Sequence, residues 1–181
     1  MPIEIPEPWL SFLREVDHGL AEATEVHCLG GFVLMVLWDL PRPTGDVDFV
    51  EIAPAKASAD LLRIAGAGSE LEKEYRLQFH RVTVAEYPEG YAPRLIDVTP
   101  RTFRRLRLLA FEVHDLVLAK LGRNMPRDRE DVAFLIDKGA LDRDLLIQRF
   151  HAELRPYSLN ESRLDANLKL WLAGLFPAAA G

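Results

Sequence analysis

Two aspartates, Asp46 and Asp48, stand two residues apart in an alternating apolar segment that runs to Ile52. In an extended chain, residues i and i+2 face the same side, with Cα atoms about 6.5–7 Å apart. Carboxylates held that close repel each other unless a cation lies between them. Mg²⁺ is the natural candidate, because it takes carboxylate oxygens and fills its other positions with water and substrate phosphate. Taken alone, such a pair is more simply a solvated strand end or a turn. Three neighbours favour the metal reading. Gly30-Gly31 would let a backbone approach a ligand closely and expose the first N–H groups of a following helix to phosphate, although a plain tight turn needs the same residues. Asp97, set in Leu95-Ile96-Asp97-Val98, is costly in a strand unless it lies at an edge or binds something. Arg42 and Thr44, just ahead of the acidic pair, offer a guanidinium and a hydroxyl to contact phosphates or fix the loop.

These residues need elements to hold them. Pro8, Trp9, Phe12, Leu13, Val16 and Leu20 read as an amphipathic first helix. Glu25 to Leu29 reads as a strand, and Phe32 to Leu40, apolar all round, as a buried helix ended by Pro41 and Pro43. Asp46 to Ile52 reads as a second strand and Pro54 to Ala65 as a helix. Residues 70–78 are charged and ambiguous. Further strands are expected over 81–87, 94–98 and 106–111. From Val113 the pattern is helical, over about 113–123, 127–138, 142–154 and 160–175. The expected fold is α/β, in the α+β sense: a small mixed sheet of about four strands over residues 1–112, then a helical bundle over 113–181 packed on it.

The order strand, Gly30-Gly31, helix, Arg42-x-Thr44-x-Asp46-x-Asp48, then a later strand with Asp97, resembles the DNA polymerase beta-like nucleotidyltransferase superfamily. Fourteen residues separate the glycine pair from Asp46, a slightly longer gap than is usual there. The likeness is nearest to small bacterial nucleotidyltransferase-like proteins related to abortive-infection toxins. Their C-terminal half resembles Asp115-Leu-Val-Leu-Ala-Lys120-Leu121 followed by Arg127-Asp128-Arg129-Glu130-Asp131-Val132. The resemblance covers residues 25–136 and implies an enzyme that moves a nucleoside monophosphate from an NTP to a hydroxyl of a protein, a tRNA or a small molecule. It implies two Mg²⁺ ions held by Asp46 and Asp48, with Asp97 completing the site and orienting or deprotonating the acceptor. Gly30 and Gly31 would leave room for the triphosphate. It also raises Lys120, with Arg123 on the same face, as phosphate contacts, where snorkelling to water is the plainer role for a lysine among leucines. A toxin–antitoxin setting with a cognate partner protein belongs to the same implication. Because the superfamily contains inactive members, a partner-binding or regulatory module without catalysis is the alternative.

Composition limits the remaining choices. The chain has 181 residues, 49% of them hydrophobic and 28% charged, which is a globular balance. Its one cysteine, Cys28, excludes an internal disulfide and a cysteine zinc cluster. The apolar run Cys28 to Trp38 is about half of what a membrane helix needs. The acidic, proline-rich N-terminus lacks the basic start of a signal peptide, so a cytoplasmic location and no membrane partner are expected. The net charge of −6 argues against general coating of DNA. Residues 94–129, however, carry nine Lys or Arg against four Asp or Glu, and Arg101, Arg104, Arg105 and Arg107 are either a nucleic-acid footprint or a solvated loop. No metal-ligand spacing is evident among His18, His27, His80, His114 and His151.

Overall fold

The computed structural model describes residues 3–176, so the last five residues of the expected helical region lie outside the described residues. The chain folds as two compact units. One runs through Thr83 and takes in Leu95–Phe111; the other joins Val84–Arg94 to the chain from Glu112 onward.

The first unit is a mixed five-stranded sheet with helices. Its elements are α1 (Trp9–Gly19), β1 (Thr24–Leu29), α2 (Gly31–Trp38), β2 (Asp46–Ala53), α3 (Ala57–Ala65), α4 (Glu70–Tyr75), β3 (Gln78–Arg81), β4 (Ile96–Asp97) and β5 (Leu106–Ala110). The strand order is β3-β2-β1-β5-β4. β1 runs antiparallel to β2 and parallel to β5, β2 and β3 are parallel, and β4 and β5 antiparallel. One face of the sheet carries the core. Val26, Cys28, Val47, Phe49 and Phe79 are buried there, and Phe12 of α1 stacks on Phe79 at 6.1 Å between ring centroids. The apolar residues of α1 recur at i, i+3, i+4 and i+7, which sets that stripe against the sheet. α2 is apolar on every side and buries Phe32, Val33, Leu34 and Val36. It stops where Asp39 turns left-handed, at φ 56°.

The third strand is displaced from its expected place. Residues 82–87 do not form it; Val84 is 92% exposed. Ser69 instead accepts a hydrogen bond from Glu72 N and caps α4 in the segment that looked ambiguous. Burial of Leu77 and Phe79 then draws Gln78–Arg81 in beside β2, with Asp46 opposite Gln78 and Asp48 opposite His80.

The second unit is helical: α5 (Val113–Leu121), α6 (Pro126–Asp137), α7 (Arg143–Arg149) and α8 (Glu161–Gly174), joined by the sequence-remote segment Val84–Arg94. α7 continues into a π-helical turn, Phe150–Leu154, that turns both Phe150 and Leu154 into the core. Side chains close the helix starts: Glu112 at α5, Asp142 at α7 and Asn160 at α8 each accept a backbone N–H. Leu116, Val117, Leu121, Val132, Leu135, Leu146, Leu164 and Trp171 fill the core.

Candidate metal and nucleotide site

The edge formed by the end of β1 and the start of β2 gathers most of the residues singled out above. The register places Leu29 opposite Asp48, so the chain leaves β1 at Gly30 directly beside that carboxylate. Gly30 has φ 80° and ψ −156°, a conformation that side-chain-bearing residues avoid. A Cβ there would lie 2.5 Å from Asp48 Oδ2. At Gly31 a Cβ would meet Thr44 Oγ1 at 2.9 Å and Arg42 Nη1 at 3.6 Å. The glycine pair therefore does more than turn the chain: it makes room for a carboxylate, a hydroxyl and a guanidinium around the first turn of α2. N–H groups of that turn have no partner within the helix, and they favour anions.

Thr44 donates its hydroxyl to Asp46 Oδ1 at 3.3 Å, which orients the first carboxylate. His80 on β3 stands level with Asp48, and its Nδ1 is 2.8 Å from Asp48 Oδ1. One ligand atom each from Asp46, Asp48 and His80 lie within 4.8 Å of one another. Among the described residues this is the one trio of acidic or imidazole side chains so placed. Two carboxylates and an imidazole are a donor set that binds divalent metals. The room that Gly30 leaves is taken up by the Asp48 carboxylate itself, so it is the donor set that fits such an ion.

The structure does not bring Asp97 to this cluster. Asp97 pairs with Leu109, Leu109 with His27, and His27 with Glu51, so β1 and β5 lie between β4 and β2. Three strand spacings amount to about 14 Å. Asp97 is an exposed edge residue, as one of its two readings allowed, and accepts from Arg107 Nε at 3.1 Å and Thr99 N at 3.0 Å. Burial raises its carboxyl, but those bonds outweigh it and hold the group below the usual range.

Lys120 and Arg123 belong to the second unit. Lys120 is 5% exposed; its Nζ donates to Asp131 Oδ2 at 2.8 Å and lies 3.5 Å from Asp128 Oδ1. Arg123 makes two bonds to Asp128, at 2.6 and 2.9 Å. Burial raises the Asp128 carboxyl, and the Arg123 and Lys120 charges and the Met125 N–H overcome it and hold it low. Both cations thus meet buried carboxylates of α6.

The basic loop lies at the other end of the sheet. A cavity of ≈ 490 Å³ is bordered by Thr24 at the start of β1 and by Asp97, Arg101, Phe103, Arg104 and Arg107. Buried Asp17 pins the loop, accepting from the N–H groups of Arg104, Arg105 and Leu106. Arg105 bonds to Leu20 O, and Arg107 to Glu25 and Asp97. Arg101 and Arg104 are exposed.

Sequence reasoning missed His80. The alternation of buried Leu77 and Phe79 turns Gln78 and His80 to the opposite face, in a strand that begins three residues ahead of the expected one. Cys28 is a buried free thiol; burial first, and the Asp48 charge second, push its pKa far up. No helix among the described residues is long and apolar enough to cross a membrane.

No curated protein and no solved structure matches the chain. Residues 12–172, however, match a family described as "Nucleotidyltransferase of unknown function (DUF6036)". That stretch begins in α1, contains the glycine turn and the carboxylate cluster, and ends in α8, so the chain belongs to this family of nucleotidyltransferases.

Proposed function

We propose that the protein is a divalent-metal-dependent nucleotidyltransferase of the DNA polymerase beta-like kind, transferring a nucleoside monophosphate from an NTP to a hydroxyl. The observation that carries this reading is the clustering of Asp46, Asp48 and His80 within 4.8 Å, with Gly30 against Asp48 and Gly31 against Thr44 and Arg42 at the start of α2. Asp46 and Asp48 would hold the cation, with His80 in the third position that Asp97 was expected to fill. The N–H groups opening α2, together with Arg42, would bind the triphosphate. When bound, the cation supplies charge to draw out the hydroxyl proton and to steady the leaving pyrophosphate. The acceptor oxygen forms a bond to the α-phosphorus as the bond to the bridging oxygen of the β-phosphate breaks. The acceptor proton passes to a carboxylate of the pair, and pyrophosphate departs. Little of this is covalent work for the protein, so positioning and charge carry the rate.

A radiolabelled-NTP transfer assay tests the reading, with candidate proteins, tRNA and small hydroxyl compounds as acceptors. Asp48→Ala abolishes labelling if the reading holds; undiminished labelling sinks it. Absence of NTP binding by calorimetry, with Mg²⁺ or Mn²⁺ present, favours instead the inactive partner-binding module. Membership of a toxin–antitoxin pair would place the acceptor or the cognate partner among the products of a neighbouring gene.

A second reading concerns the acceptor. Arg101 and Arg104 project from a loop fixed by Asp17, beside a cavity with Phe103 on its wall. β1 separates this loop from the glycine turn by about 16 Å. RNA is an acceptor long enough to reach both, with phosphates for the arginines. Removing both arginines then lowers the salt dependence of RNA binding by up to two phosphate contacts, or about 1.4 in the log–log slope for a single strand.

A further inference from the structure

We infer that His80 turns the cation site into a mixed nitrogen–oxygen site that selects first-row transition ions, Mn²⁺ and Co²⁺ among them, over Mg²⁺. This inference rests on the reading above in taking the same cluster as the cation site. It departs from the sequence expectation, which placed Mg²⁺ among carboxylates only.

Mg²⁺ is a hard ion that takes oxygen almost exclusively and sheds water reluctantly. Imidazole suits transition ions, and affinity for a nitrogen donor rises along Mn²⁺, Co²⁺ and Ni²⁺. A ring nitrogen in place of a third carboxylate removes one unit of negative charge, which costs Mg²⁺ affinity. It also adds a donor that favours the softer ions.

Geometry supports chelation. Adjacent ligand atoms on an octahedron with bonds of about 2.0–2.1 Å lie about 2.9 Å apart. His80 Nδ1 and Asp48 Oδ1 are 2.8 Å apart, already the separation of two neighbouring vertices. Asp46 adds the third donor within 4.8 Å of the others. Stability alone gives little reason for the pair. The His80 side chain is 58% exposed, and an exposed hydrogen bond of this kind contributes little. What holds the imidazole in place is the register of β3, pinned by buried Phe79: a slip of one residue would carry Phe79 out of the core and His80 into it.

The test is metal binding by the full-length protein without nucleotide. Isothermal titration with MgCl₂, MnCl₂ and CoCl₂ is run on the wild type, His80→Asp, His80→Asn and Asp48→Asn. Bound Mn²⁺ is examined by electron spin-echo modulation, which detects a coordinated nitrogen. The wild type is expected to prefer Mn²⁺ to Mg²⁺ and to show nitrogen modulation. His80→Asp narrows that preference by about tenfold or more, and His80→Asn abolishes the modulation while the melting temperature stays put. The inference is overturned if the ratio is the same in wild type and His80→Asp, or if wild-type Mn²⁺ shows no nitrogen. Should that happen while Asp48→Asn still abolishes binding of both ions, the cation site stands and only the role of His80 falls. If no ion binds the wild type, both fall.

Discussion

Gly30 and Asp48 are neighbours across the turn out of β1, so close that a methyl group on Gly30 would lie 2.5 Å from Asp48 Oδ2. Gly30 also has a positive φ, 80°, which Gly31 does not share. The two glycines should therefore fail differently. Gly30→Ala bears a backbone strain of about 1–3 kcal/mol and displaces a carboxylate of the cation site. It should lower both the melting temperature and metal affinity. In Gly31→Ala the close contacts are the Thr44 hydroxyl at 2.9 Å, which can turn aside, and the Thr44 Cβ at 3.2 Å, which must give by a few tenths of an ångström. That variant should melt within a few degrees of wild type yet bind NTP more weakly. Thermal melts beside NTP titrations separate the two; equal behaviour of the variants would show that the cradle does not work as described.

Much of this geometry was legible in the residues, and the part that was not has physical causes. The glycine pair, Arg42, Thr44 and the aspartates lie close in sequence, and a turn followed by a hairpin-like return brings such residues together almost by chain connectivity. The third ligand depends on which later strand docks beside β2. That choice is made by burial of Phe79, a tertiary event with no local sequence mark. Asp97 had the right residue type in a strand, but β4 pairs on the far side of β5, and strand order is not written in alternation. Lys120 read as a lone cation among leucines because its partners, Asp128 and Asp131, lie on the next helix. The starts of α7 and α8 lie within a residue of their expected places, because Asp142 and Asn160 cap them and capping acts locally.

Asp97 and Asp48 give a direct contrast. Asp97 is bound to Arg107, and two strands stand between it and the cluster. Asp97→Ala should keep metal affinity and transfer within about twofold, because two strands separate it from the cluster, and loss of its exposed ion pair should cost less than about 1 kcal/mol of stability. Asp48→Ala should lose both. Parallel assays with one metal and one NTP decide it; a loss at Asp97 comparable to that at Asp48 would return Asp97 to the site.

Lys120 should prove to be a structural cation of the helical unit. Removing one member of a buried pair costs about 3–5 kcal/mol where the partner keeps no other counter-charge, and Asp128 keeps Arg123. Lys120→Met is still expected to lower the urea midpoint, because Asp131 and Asp128 lose their ammonium. The double variant Lys120→Met/Asp131→Leu should recover part of the loss. A phosphate-binding lysine without that structural duty would behave the other way, with normal stability and weakened NTP binding.

Acid should unfold the helical unit through Glu112. Burial raises this carboxyl, but hydrogen bonds from His114 and Arg149 and their charges overcome it and hold it at about 2, against an ordinary 4.5. Glu153 is likewise held low, chiefly by its bond to Arg94, which also grips buried Asp115. A carboxylate with a depressed folded value stabilises the fold above its unfolded value and stops doing so as protons bind the native state. The Glu112 contribution is thus complete above about pH 4.5 and disappears as the pH falls towards 2. Glu112→Gln keeps an oxygen to cap α5 at His114 N but has no charge to titrate. Urea midpoints followed by far-UV ellipticity across that window should fall more steeply with acid in wild type than in Glu112→Gln. The variant should be less stable at neutral pH, with the two curves converging at the acid end. Parallel curves would show that the Glu112 network does not set the acid limit.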